Sequence, residues 1–301
     1  MRTCVILNPV AGSGNSVAGV QRAVAAIPGA EIRVSDGPAS IGRLTRAAVT
    51  DGFQRIVAAG GDGTVSEVAS AVLAAGGEET GLECGVLPIG TGNDLALALG
   101  ISPGLEQAAA LLQTGSARPI DTIVSDTANF SGYGAERMFT WNAVVGGFGG
   151  RVSDHLTPER KHRWRRLAYL RAAIAELGEL SSHAVHIEMD GQRHELDLLM
   201  LVIANGSHAG GGIPLAPAAS PDDGALDVVG IRAGSFFDVL RLVLPVLSGR
   251  HLDHPGVFYA RGRTVSVESD PEFRYNRDGE EWGSGNARFE ICPDAIAFLR
   301  P

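Results

Sequence analysis

At 301 residues, with 45% hydrophobic and 20% charged residues, the chain is long enough for two globular domains that each bury a core. Its formal net charge of −9 excludes nucleic acid as a general partner, because binding phosphate along a polymer needs a basic face. Cys4, Cys84 and Cys292 lie far apart without a CxxC pair, which excludes a disulfide framework and a thiolate zinc site and points to a reducing, cytoplasmic compartment.

The apolar run at residues 4–7 ends at Asn8-Pro9, too short for a signal-peptide core. No window holds the roughly 18 apolar residues of a membrane span, so membrane contact is expected to be peripheral. In chain order, strands over 3–7, 31–35, 55–59 and 83–88 alternate with helices over 17–26, 41–49, 65–75 and 93–99. Four such βα units imply a parallel sheet with helices on its faces. After about residue 116 the pattern changes to strand-like runs over 139–145, 185–189, 197–204, 226–232, 264–268 and 287–291, with helices over 158–177 and 235–247. Short strands between turn signals suggest an antiparallel sandwich. The expected fold is therefore an α/β domain over 1–125 and a β-sandwich domain over 126–301, with the last strand free to return to the first domain.

Three glycine loops follow strands of the first half: NPVAGSG (8–14), GGDGT (60–64) and PIGTGND (88–94). Loops at the carboxyl ends of parallel strands line one crevice, and glycine lets backbone N–H groups approach phosphate oxygens at a helix N-terminus. Polyphosphate is the ligand this chemistry favours. Neither GxxxxGK[ST] nor GxGxxG is present, so the two commonest nucleotide loops are excluded. Thr64 taken alone reads as merely a helix N-cap, which satisfies an N–H without any ligand. Asp62 and Asp94 are harder to place, since a carboxylate beside phosphate is costly without a cation between them; together they suggest Mg²⁺.

In order and spacing, NPVAGSG, AAGGDGTVSE and PIGTGND resemble the diacylglycerol kinase catalytic-domain family, soluble lipid kinases related to sphingosine and ceramide kinases and more remotely to NAD kinases. The second-half stretches GGGIPLAPAASPDDGALDVV (210–229) and NRDGEE (276–281) extend the resemblance over most of the chain. It implies that the first domain binds ATP and that the second forms the lipid side of an interdomain cleft. The positions matching nucleotide contacts are Asn8, Pro9, Val10, Ala11, Gly12, Ser35, Gly61, Asp62, Gly63, Thr64, Val65, Ser66, Glu67 and Thr91. It also implies that Asp223 holds a structural Mg²⁺, with carbonyls at Ser220 and Ala225, whereas the residues alone read there as an Asx turn. Ser13 departs from the Lys that some relatives carry after the NPxxG glycine.

Asp278-Gly279 alone is a type I′ hairpin signal. By resemblance, Glu280 is the general base for a lipid hydroxyl, and Asp278 shares that task or orients the metal. The segment 157–166 places five Arg or Lys residues and Trp164 at the start of a helix, where the dipole disfavours cations. A solvated helix face and contact with an anionic bilayer through residues 158–171 both account for it. His183-x-x-His186 and His251-x-x-His254 have metal-compatible spacing but no third ligand nearby.

The expected reaction is transfer of the γ-phosphate of ATP to a lipid alcohol, by default diacylglycerol. A sphingoid base, ceramide or phosphatidylglycerol fits equally, and a non-catalytic nucleotide-binding lipid sensor is the reading from another class. NAD kinase activity is disfavoured by the DDG and DGE stretches. A homodimer stays open.

Overall fold

The computed structural model describes residues 1–12, 16–37, 39–126, 137–147 and 182–301. The chain divides into two compact units, Met1–Asp121 with Pro293–Pro301, and Thr122–Cys292.

In the first unit, β1 (Thr3–Leu7), β2 (Ala30–Val34), β3 (Arg55–Gly60) and β4 (Glu83–Pro88) pair in parallel in the order β2-β1-β3-β4. All five residues of β1 are buried, as are the last five of β3 and of β4. Their apolar runs carry no alternation because helices cover both faces of the sheet. These helices are α1 (Ser16–Ala25), α2 (Ser40–Thr50), α3 (Asp62–Ala74), α4 (Asp94–Ala98) and α5 (Leu105–Thr114). On α3, Val65, Val68, Ala69 and Val72 form the buried stripe at spacings of three and four. The far edge of β4 is closed by residues 297–298 of a long final strand, again in parallel. Arg55 pairs with Glu83 at 2.6 Å and donates to the Leu112 carbonyl, fastening β3, β4 and α5 at the end of the sheet away from the glycine loops.

The second unit is antiparallel throughout its recorded pairings. It comprises the end of β5 (Ser116–Asp126), β6 (Arg137–Thr140), β7 (Ala143–Gly147), β8 (His183–Met189), β9 (Gln192–Ala204), β10 (Leu226–Arg232), α6 (Phe236–Leu247), β11 (Val257–Gly262), β12 (Thr264–Asp270), β13 (Arg274–Arg277), β14 (Glu280–Ser284) and the first part of β15 (Ala287–Arg300). Strand β8 alternates buried and exposed residues along its whole length, the pattern of a sheet with one wet face. The hydrophobic end of β9 feeds two cores. Leu198, Leu201 and Ile203 join Phe273, Tyr275 and Phe289, while Leu199, Val202 and Ala204 join Val229, Leu242 and Val257. Both faces of that strand are thus covered, which is why it reads as a continuous apolar run.

The parallel α/β half and the antiparallel sandwich agree with the expected fold class. Several elements differ in detail. The helix expected to begin at Val65 begins at Asp62, so most of GGDGT lies in a helical turn. The strand expected over 139–145 is two strands broken at Trp141-Asn142. Strands β5 and β11 and helix α5 answer to no expected element, and of the hairpin β13–β14 only the turn at Asp278-Gly279 is signalled. The helix expected over 158–177 lies outside the described residues.

Candidate active site

The three glycine loops leave the carboxyl ends of β1, β3 and β4, which are neighbours in the sheet. They are bonded to one another. Asn8 N–H donates to the Ala59 carbonyl at 3.0 Å, its Nδ2 donates to Thr64 Oγ1 at 3.1 Å, and its Oδ1 accepts from Val10 N–H at 3.2 Å. Thr64 is therefore not an N-cap: it is the third residue of α3, and Gly61 holds the cap position in extended conformation. The Ile89 and Gly90 N–H groups both donate to the Gly60 carbonyl. Gly90 lies so close to the Gly61 backbone that a side chain there would collide with it. Of the other expected contact residues, Val10 is 86% exposed, Pro9, Ala11, Gly12, Gly63, Ser66 and Thr91 are half-buried, and Glu67 is exposed. Val65 points into the core, so its backbone alone can meet a ligand. Ser35 is buried with its hydroxyl 2.8 Å from that of Ser40, organising the start of α2.

Asp62 and Asp94 open α3 and α4 and flank Gly92. A Cβ on Gly92 would lie 2.5 Å from Asp62 Oδ2 and 3.5 Å from Asp94 Oδ2, so glycine is what leaves room between the carboxylates. Asp62 Oδ1 accepts from Leu95 N–H at 3.2 Å. Two carboxylates beside a phosphate-type loop and two helix N-termini are the donor chemistry of a magnesium–polyphosphate site, and these residues fit that ion. Asn93, not singled out from the sequence, takes the left-handed conformation at φ 56° and donates to the Gly90 carbonyl at 3.0 Å, fixing the loop before Asp94. An Asn between Gly and Asp at a helix start was the available signal.

In the second unit Asp278 and Gly279 have φ of 46° and 92° and form a two-residue hairpin between Arg277 and Glu280. The Asp278 carboxylate is enclosed. It accepts from the N–H groups of Trp141 at 3.0 Å, Asn142 at 3.0 Å and Ala143 at 3.1 Å. Burial pushes its carboxyl above the ordinary range, against the pull of those three donors. With both oxygens committed to backbone, Asp278 is a clamp on the hairpin rather than a group directed at a metal. Asn205 completes the clamp by donating from Nδ2 to the Trp141 carbonyl at 2.9 Å and from its N–H to the Asn142 carbonyl at 2.8 Å. Glu280, first residue of β14, stands exposed at the mouth of this turn.

The Asp222-Asp223-Gly224 turn is organised differently. Asp223 Oδ1 accepts from Ala225 N–H at 3.1 Å, an Asx turn, and Oδ2 pairs with the Arg261 guanidinium. Ser220 donates to Asp222 at 2.6 Å. Behind Arg261, Asp227 accepts from Tyr259 OH at 2.6 Å, and burial holds its carboxyl above the usual range. Asp223 is thus engaged by its own turn and by Arg261, the Asx arrangement that the residues alone suggest. One histidine of each expected pair is committed to structure: His183 Nδ1 lies 2.6 Å from the Pro271 carbonyl and His251 Nε2 3.0 Å from that of Leu215. Among the described residues no three His, Cys, Asp or Glu side chains cluster as a metal site.

Residues 2–124 match the diacylglycerol kinase catalytic domain, and residues 142–300 match the YegS C-terminal NAD kinase beta sandwich-like domain. A probable lipid kinase YegS-like protein of Pseudomonas putida is 34% identical over 273 residues, 90% of this chain and 85% of that one. The chain belongs to the YegS-like lipid kinase family. A Shewanella frigidimarina member is 31% identical, over 90% of this chain and 84% of its own length. A Bacillus anthracis diacylglycerol kinase structure shares the fold, with a TM-score of 0.72 at 18% identity, covering 100% of this chain and 97% of that one. A yeast NADH kinase solved with NADH does so at 0.58 and 11% identity, covering 84% of that chain. Kinase membership accounts for the nucleotide-type loops. Ser13 and the basic stretch 158–171 lie outside the described residues.

Proposed function

We propose that this chain transfers the γ-phosphate of ATP to the hydroxyl of a lipid alcohol, with diacylglycerol as the default acceptor and phosphatidic acid as product. The observation that carries the reading is the convergence of three glycine loops on adjacent parallel strands, with Asn8 bonded to Thr64 and the carboxylates of Asp62 and Asp94 facing one glycine. In this reading the backbone of residues 8–12 and 61–67, with Thr91, binds the triphosphate. Asp62 and Asp94 hold Mg²⁺, which when bound neutralises phosphate charge. Glu280 accepts the hydroxyl proton as the lipid oxygen bonds to the γ-phosphorus and the bond to the β–γ bridging oxygen breaks, leaving ADP and a phosphate monoester. Asp278 holds the hairpin that carries Glu280 and is a positioning residue.

The test is phosphate transfer from γ-labelled ATP into a lipid panel in mixed micelles: diacylglycerol, a sphingoid base, ceramide and phosphatidylglycerol, with NAD as a soluble control. One lipid is expected to be phosphorylated, with transfer abolished by chelating Mg²⁺ and reduced in Glu280→Ala. ATP binding without turnover on any acceptor would overturn the reading in favour of a nucleotide-binding lipid sensor.

A further inference from the structure

Large apolar side chains scattered singly on a surface are ordinary, but a contiguous group of them marks a contact site. Among the described residues seven large hydrophobics are exposed, and four lie on α6: Phe236 at 46%, Phe237 at 67%, Leu240 at 39% and Leu244 at 75%. Phe237, Leu240 and Leu244 follow the i, i+3, i+7 spacing that aligns side chains on one helix face, and Phe236 stacks edge-on against Phe237 at 5.6 Å. The fold holds this face outward. Leu242 is 4% exposed and, with Val239, packs against the core that contains Val202, Val229 and Val257. Ser235 and Asp238 form a capping box that fixes where the helix starts.

The charges around this face select its occupant. Arg241 lies on α6 beside the stripe and Arg232 and Arg250 bracket the helix in sequence, while the acidic residues nearby are Asp238 on the helix, Asp197, whose carbonyl accepts from Ala233 N–H, and Asp253. All three arginines are exposed. Asp238 is engaged by the cap and lies 3.5 Å from Arg241. An apolar stripe with aromatic residues at one end and arginines beside it is the composition of a helix lying in a bilayer interface. Among the described residues no helix is long and apolar enough to span one. We propose that the outward face of α6 seats this chain on the surface of an anionic phospholipid bilayer, with Phe237, Leu240 and Leu244 entering the acyl boundary and Arg241 meeting phosphate. This seat rests on the lipid-kinase reading in one respect: the acceptor is insoluble and must be met at a membrane.

The experiment is cosedimentation of the full chain with vesicles of phosphatidylglycerol and phosphatidylethanolamine. Wild type is compared with the triple variant Phe237→Ser/Leu240→Ser/Leu244→Ser and with Arg241→Glu. Thermal unfolding of each variant, sedimentation velocity, and transfer to a water-soluble short-chain diacylglycerol are measured alongside. Expected are vesicle binding by wild type, at least tenfold weaker partitioning of the triple variant, and several-fold weaker partitioning of Arg241→Glu. Unfolding and turnover of the soluble acceptor are expected to stay unchanged. Wild type that does not sediment with vesicles, or a triple variant that binds them as wild type does, would overturn the proposal. So would a wild-type dimer that the triple variant converts to monomer without loss of vesicle binding, since a second copy would then cover the face. Turnover of the soluble acceptor together with α6-independent vesicle binding removes this proposal and leaves the kinase. Loss of vesicle binding in the triple variant upholds it even where no acceptor is phosphorylated.

Discussion

Two hairpins of the sandwich unit are built alike and differ in what surrounds them. Asp190-Gly191 joins β8 to β9 and Asp278-Gly279 joins β13 to β14, each with both φ angles positive. In each, the aspartate N–H donates to a backbone carbonyl, of Thr264 or of Ala143, and the carboxylate accepts N–H groups from that same stretch of chain. Asp190 does this in solvent, and the donors Arg263 and Thr264 hold its carboxyl below the usual range. Asp278 does it half-buried, and the shielding of its carboxylate drives its carboxyl the other way. Turn chemistry is thus generic. The two turns differ in their environment and in the residue that follows, Gln192 at one and Glu280 at the other.

The largest effect that separates the two turns is catalytic. Glu280→Ala is expected to lower lipid phosphorylation by roughly 10²- to 10⁴-fold, and Gln192→Ala to leave it unchanged, in steady-state assays on the preferred acceptor. Next in size is the clamp. Asp278→Ala strands three N–H groups behind the hairpin and is expected to cost about 3 kcal/mol in denaturant unfolding, with weaker turnover because Glu280 loses its support. Asp190→Ala is expected to cost at most about 1 kcal/mol, since water replaces the carboxylate there. The smallest effect is in pH dependence and has opposite signs. The Asp190 contribution is present above the ordinary carboxylate pKa of about 3.9 and is lost as pH falls through the lower folded value. Asp278 binds its proton more tightly folded than unfolded, so its stabilisation is complete below about 3.9 and declines as pH rises through the raised folded value. Subtracting the unfolding free energies of Asp190→Asn and Asp278→Asn from wild type across pH 3 to 7 should give slopes of opposite sign; equal slopes would show that burial does not distinguish the turns.

The hairpin at Asp278 is legible in the sequence because Asp-Gly needs only local geometry, and the glycine loops are legible for the same reason. What surrounds them is not. The break at Trp141-Asn142 splits an apparently continuous strand because its N–H groups serve a carboxylate 135–137 positions away, which no local pattern records. Asp62-Gly63-Thr64 reads as a loop because glycine and aspartate disfavour helix, yet Gly61 in extended conformation starts α3 there and packing against the sheet prevails. Arg261 is likewise invisible from the acidic turn it neutralises, since it sits on another strand 38 residues on. The stripe of α5 at Ala108, Ala109 and Leu112 follows helical spacing and is a local pattern that periodicity records.

The long final strand bears on the order in which the protein can be completed during synthesis. Residues 293–301 close the exposed edge of β4 in the first unit, burying Ile296, Phe298 and Leu299. All of the nucleotide-type loops have left the ribosome long before that strand is made. Until it arrives, the edge of β4 offers unpaired backbone groups beside an apolar surface, which is a template for pairing with another chain. A nascent chain stalled at residue 292 should therefore be held by chaperones or aggregate, and addition of a peptide spanning 293–301 should protect it from protease.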